Sequence, residues 1–293
     1  MKKNNDDALI TNARKWFHGQ LVYRGVLVVD AQGVPSNSDK DSKPSCAIGK
    51  LVACDLRARK GKKLSAQTAG SIFEELVCEF IKETFPKLQH LRPGKWKVVN
   101  LGNNNAVKTS SFVQYEHLAH LTNVIRADRQ LATMLGNDYV VAPDIVVSRS
   151  PCTDDEINDG AKLLDDTVCL KTDIRKKNNP LDIMHASVSA KWTMRSDRAQ
   201  NSRTEALNLI RNRKGHLPHV VVVTGEPLPS RLASLALGTG DIDCVYHFAL
   251  HELIKAVRQY GKNGREDVIE QLETMINGKR LKDISDLPLD LSC

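Results

Sequence analysis

Asp144 follows Pro143 at the head of one apolar stretch, Lys191 lies inside a second, and Glu205 follows on what reads as the next helix. Acids and a lysine carried on adjacent elements suit one reaction well, the hydrolysis of a phosphodiester. That substrate is anionic, so attack by hydroxide needs cations to offset charge at phosphorus. Carboxylates hold a divalent metal, and a lysine helps to orient or activate the attacking water. Spacing of this kind also arises by chance. The plain alternative is a turn aspartate at a strand end and a solvated lysine, so the positioning elements decide.

In residues 186–194 alternate side chains face opposite ways. Ala186, Val188, Ala190, Trp192 and Met194 make a mostly apolar face, and Ser187, Ser189, Lys191 and Thr193 make the other. If the strands at 139–147 and 184–194 are neighbours, the polar face meets Asp144. Pro143 cannot donate to a ladder, so it marks an edge, bulge or strand start. Upstream, 66–85 reads as an amphipathic helix with Phe73, Leu76, Val77, Phe80 and Ile81 on its apolar face. At about 100° per residue Glu74 falls at the border of that face, while Glu75 and Glu79 point away. Glu74 is the acid expected to be half-buried beside the sheet.

The remaining pattern predicts helices at 114–135, 199–212, 248–259 and 266–276, and a strand at 219–224. Strands alternating with helices imply an α/β fold with a mixed central sheet flanked by helices. The stretches 33–46 and 150–160 read as loops. The charge run 57–63 reads as a solvated loop or a phosphate contact.

After Lys191 comes Trp192-Thr193-Met194-Arg195-Ser196-Asp197-Arg198. Arginine can donate two hydrogen bonds to guanine O6 and N7, and aspartate can accept from cytosine N4. Two arginines around one acid suit G·C pairs in a major groove. The alternative is a helix cap flanked by surface charges.

The run SAKWTMRSDRAQN (189–201) resembles the catalytic and recognition segment of NgoMIV-like type II restriction endonucleases, which cut sites built on CCGG. These belong to the PD-(D/E)XK nuclease superfamily. LSAQTAG with IFEELVCEF (64–80), KLQHLRPGKW (87–96), ALNLIRNRKGHLPHVVVVTGEP (206–227) and NGKRLKDISDLPLDLS (277–292) resemble the same family in the same order. The likeness is weakest near the N-terminus and at 150–183.

The resemblance implies a restriction-endonuclease-like (PD-(D/E)XK) core. It selects Glu74, Asp144, Ser189, Lys191 and Glu205 as the catalytic set, with Ser189 where a second acid is usual and Glu205 standing in for it. Asp144 and the Ala190 carbonyl would ligate metal, and Glu74 and Glu205 would bind through water. Alanine at 190 replaces cysteine, which a backbone ligand tolerates. The implied cofactor is Mg²⁺, two ions per active site. Arg195, Asp197 and Arg198 correspond to the CCGG readers, Arg231 and Asp39 to the readers of the outer base pair, and Gln67 to a minor-groove contact. The residues after Asp39 depart from the family's text. The implied site is GCCGGC in double-stranded DNA, cut after the first G to leave a four-base 5′ overhang, by a homotetramer (a dimer of dimers) engaging two sites.

Composition agrees. The chain has 293 residues and no low-complexity linker or repeat, which favours one domain over 1–293, and its net charge of +7 suits a polyanionic partner or equally serves solubility alone. Its seven cysteines include no CxxC pair, which reads as reduced thiols in a cytoplasm, and the resemblance implies a prokaryotic one. No segment approaches a membrane span or a signal sequence. His117 with His120, and His247 with His251, each lack a third ligand for a metal. Gly238-Thr239-Gly240 reads as a short turn, and Ser148 and Ser150 have no paired base. Two rival functions share part of this pattern. A junction resolvase would keep Asp144 and Lys191 without needing base readers, and an inactive DNA-binding relative would have lost an acid or the lysine.

Overall fold

In a computed structural model, residues 7–102, 108–127, 130, 133–134, 143–194, 196–238, 240–262 and 264–293 are described. The helices are α1 (Leu9–Tyr23), α2 (Lys43–Asp55), α3 (Ala66–Thr84), α4 (His117–Ala127), a single turn α5 (Asp154–Ile157), α6 (Ser196–Asn212), α7 (Pro229–Ala236), α8 (Leu250–Gly261), α9 (Glu266–Asn277) and α10 (Leu287–Asp290). Two short strands, β1 (Val28–Val29) and β2 (Arg59–Lys60), pair in parallel. The main sheet runs β3 (Trp96–Asn100), β4 (Ile145–Arg149), β5 (Ile183–Lys191), β6 (His219–Thr224), β7 (Cys244–His247), β8 (Leu281–Asp283), in that spatial order.

The sheet is mixed. β3–β4 and β4–β5 are antiparallel, and β5 through β8 are parallel. Parallel strands covered on both faces should be apolar throughout. β6, His-Val-Val-Val-Val-Thr, is buried at every position after the first. On one face α3 packs across β3 and β5, with α1 against α3. Phe73 of α3 meets Trp192 at 5.1 Å between ring centroids, and Phe17 of α1 meets Phe73 and Phe80. The other face of β5 belongs to α6, since Ser187, Ser189 and Val222 share a narrow cleft with Ser202, Glu205 and Leu209.

The strand expected at 139–147 is corrected. The ladder begins at Ile145 and runs to Arg149, with Pro143 and Asp144 ahead of it, while 139–142 fall outside the described residues. The strand expected to reach 194 ends at Lys191, because its partner β6 ends at the paired Thr224. The loop expected through 46 stops at Ser42. Ser42 caps α2 by accepting the Ser45 N–H, and Pro44 opens the helix. Within 150–160 lies the single turn α5, closed by a capping box of Thr153 and Glu156. The helix expected at 114–135 opens with a 3₁₀ turn, Val113–Tyr115, and is described as helix over His117–Ala127.

Candidate active site

Asp144 sits on a bend just before β4, and three groups from the C-terminal end of β5 converge on one of its oxygens. Ser189 Oγ donates at 3.3 Å, the Ala190 N–H at 3.0 Å and Lys191 Nζ at 2.8 Å. The register produces this. Ile145 pairs with Val188, so the residue ahead of Ile145 faces the end of β5. The Asp144 carbonyl accepts the Leu101 N–H at 2.9 Å, which fixes the bend against β3. Asp144 and Lys191 remain partly open, with side chains 11% and 21% exposed.

Glu74 arrives on α3 and Glu205 on α6, both half-buried. Burial and the neighbouring Asp144 push the Glu74 carboxyl up to about 7, against the opposing pull of Lys191 and an Asn100 hydrogen bond. Burial and Asp144 likewise raise Glu205, although Lys191 opposes them. For Lys191, burial alone would depress the ammonium, but Asp144 and Glu205 outweigh it and its pKa rises. Glu74, Asp144, Lys191 and Glu205 therefore act on one another as one electrostatic cluster. Three acids around one lysine leave an excess of negative charge that a divalent cation would offset. The acids that would face a cation are hard oxygen donors, the Asp144 carboxylate and the two glutamates. Among the described residues no three acidic, histidine or cysteine side chains close on a common point. A cation here would rest on few direct protein ligands and several waters, as Mg²⁺ does. The residues fit such an ion.

Of the residues expected to contact DNA, Asp39 lies in the loop before α2, Gln67 on α3 and Arg231 on α7. Gln67 is exposed on the first turn of α3, which Ser65 caps through the Thr68 N–H at 3.0 Å. Arg231, on α7, bonds Asp39 through its guanidinium, so the two residues expected at one base pair are side by side across 192 positions of sequence. Arg231 also lines an open cleft of about 400 Å³ with Met194, Gln200 and Arg203. Arg195 lies outside the described residues. Asp197 and Arg198 belong to the first turn of α6, and their side chains are not described. Sequence reasoning passed over Glu226 and Asn37. Both are buried; Asn37 donates to the Gly225 carbonyl, and Glu226 accepts the Met194 N–H.

A mixed sheet that brings an acid and a lysine together at one edge of its central strands, between helices bearing two further acids, is a restriction-endonuclease-like fold. The comparisons are narrower. The NgoMIV restriction enzyme family model matches residues 17–293. The type II restriction enzyme NgoMIV of Neisseria gonorrhoeae is 46% identical over 285 residues, covering 97% of this chain and 99% of that protein. The chain belongs to the NgoMIV restriction enzyme family, and it is a type II restriction endonuclease, a site-specific deoxyribonuclease. Restriction endonucleases generally use a divalent metal. All seven cysteines are unpaired. Among the described residues no helix is long and apolar enough to cross a membrane.

Proposed function

We propose that this enzyme hydrolyses double-stranded DNA at GCCGGC, cutting after the first G to leave a four-base 5′ overhang with 5′-phosphate and 3′-hydroxyl ends. The observation that carries the catalytic part is the convergence of Lys191, Ser189 and the Ala190 N–H on Asp144, with Glu74 and Glu205 in the same electrostatic cluster. Asp144 and the Ala190 carbonyl would hold the metal, and Glu74 and Glu205 would bind it through water. The cofactor is Mg²⁺, two ions per site, which when bound offsets charge on the phosphate and makes a water acidic enough to attack. Lys191, kept charged by Asp144 and Glu205, holds the attacking water and balances charge that develops on the phosphoryl oxygens. Ser189 steadies the Asp144 carboxylate.

Arg195, Asp197 and Arg198 read the CCGG core, Arg231 and Asp39 read the outer pair, and Gln67 enters the minor groove. The adjacency of Arg231 and Asp39 supports the outer-pair assignment, because one G·C pair offers its guanine acceptors and its cytosine donor next to each other. We further propose one domain over residues 1–293, a homotetramer that engages two sites, and a cytoplasmic location. Asp144→Ala tests the catalytic assignment. Cleavage should fall by roughly a thousandfold or more, the scale of losing several kcal/mol of metal-borne stabilisation. Gel-shift binding to a GCCGGC duplex in Ca²⁺ should persist, since the readers lie elsewhere. Full cleavage by the unmutated enzyme in excess chelator would contradict the assignment.

A further inference from the structure

We propose that Glu226 is the positioning residue that aligns the outer-pair reader Arg231 with the segment carrying the inner readers, and so governs selectivity across the whole hexamer. This rests on the recognition reading above and extends it to a residue that touches no base.

Glu226 follows Gly225 just beyond the end of β6, and its side chain is fully buried. One carboxylate oxygen, Oε2, accepts the Met194 N–H at 3.1 Å. The other accepts the Leu228 N–H at 3.1 Å, at the entry to α7. Arg231 Nη1 lies 3.7 Å from Oε2, while the other arm of the guanidinium meets Asp39. Met194 immediately precedes Arg195. A single carboxylate therefore ties the backbone beside the inner readers to the helix and the side chain of the outer one.

The rest of the 224–228 loop points the same way. Thr224 Oγ1 donates to the Lys191 carbonyl at 2.8 Å, and the Gly225 N–H reaches the same carbonyl at 3.3 Å. Asn37 Nδ2, two residues before Asp39, donates to the Gly225 carbonyl at 2.8 Å. A Cβ at Gly225 would come within 2.5 Å of the Trp192 ring and 2.7 Å of the Trp192 carbonyl, so the loop seats on β5 only with glycine there. Lys191, Met194, Arg231 and Asn37 are thus wired to one short turn.

Packing alone does not explain an acid in this place. A buried carboxyl costs free energy that an apolar side chain of similar size would not. Asp39 pairs with Arg231 in the free protein, but reading a base pair turns Asp39 toward the cytosine amino group. Arg231 then keeps one carboxylate behind it, that of Glu226. Among the described residues, the charged groups that act most strongly on Glu226 are Arg231, from α7, and Asp39, from the loop before α2. Burial pushes Glu226 up to about 7, although the two N–H groups and Arg231 pull the other way.

The test compares relative cleavage rates of GCCGGC, ACCGGT (outer pair changed) and GCTAGC (central pairs changed) by the wild type, Glu226→Gln and Arg231→Ala. Glutamine keeps the volume but removes the charge, and its amino group cannot accept the second N–H. For Glu226→Gln we expect the preference for GCCGGC over each altered site to fall about tenfold, the order of one misaligned bidentate contact. In the wild type the same preference should decline as pH falls through about 7, where the carboxylate is lost. Glu226→Gln should show no such decline. A ratio cancels the pH dependence of hydrolysis itself, which all sites share.

Equal slowing at all three sites, with unchanged ratios, would reduce Glu226 to a structural role and overturn the proposal. If Arg231→Ala abolishes outer-pair preference while Glu226→Gln does not, this inference alone fails. If Arg231→Ala also leaves the preference intact, the recognition reading fails and takes the inference with it. Should Glu226→Gln prove unfolded by circular dichroism, the wild-type pH series decides, and a preference flat from pH 6 to pH 8 overturns the proposal.

Discussion

Asp39 uses both carboxylate oxygens, one to hold the Asp41 N–H at 3.1 Å and the other to hold Arg231. It is at once a turn residue in the loop before α2 and the partner of a candidate base reader. Asp39→Ala should relax selection at the first and last positions while CCGG stays required. The expected loss of preference for GCCGGC over ACCGGT is about 1–3 kcal/mol, measured as a ratio of cleavage rates. An unchanged ratio would leave Asp39 with its turn role only. At this scale the sequence was informative where a local period places a side chain. Strand alternation set Ser189 and Lys191 on one face of β5, and the helical wheel put Glu74 at the edge of its apolar stripe. Arg231 and Asp39 became candidates only through family resemblance, because no local pattern joins residues so far apart. Glu226 was missed for the same reason: its partners Met194 and Arg231 come from the segment after β5 and from α7, and only the fold brings them together.

Among the elements, β6 was legible because four consecutive valines between a proline and a glycine mark a buried strand. β7 and β8 were not, since strands of four and three residues carry too short a pattern. α2 was hidden because the polar run that caps it also reads as loop. β7 ends at His247, paired in register with Asp283 on β8, and here pH becomes a test of the fold. His247 is fully buried. Its Nδ1 accepts the Ala249 N–H at 3.1 Å, which leaves the proton on Nε2, an atom without a partner. Burial holds the imidazole down at about 4, despite Asp283 nearby. The folded state thus binds fewer protons than the unfolded chain, where histidine titrates near its ordinary value of about 6.5. The stability this contributes is complete above that value and is lost as pH falls from it toward 4. Between pH 7 and pH 5 the loss from this residue should be about 2 kcal/mol. His247→Asn keeps an acceptor in the Nδ1 position and removes the titration. Urea melts at the two pH values should show a wild-type stability drop that exceeds the variant's by about that amount. Equal drops would mean His247 is not held neutral.

For the molecule as a whole, a net charge of +7 suits a polyanionic substrate, and the family match across 17–293 places the whole sheet and both faces of the site within one type of enzyme. The fold class was readable from alternating strand and helix patterns. The strand order was not, because register depends on which apolar faces meet. The central claim is metal-dependent hydrolysis of DNA at one sequence built on CCGG. Its most direct measurement is digestion of a long DNA of known sequence with Mg²⁺, followed by sequencing of every end produced. All ends should fall at GCCGGC and carry 5′-CCGG overhangs. Ends scattered without a common sequence, ends at sites lacking CCGG, or cleavage confined to branched DNA would contradict the claim.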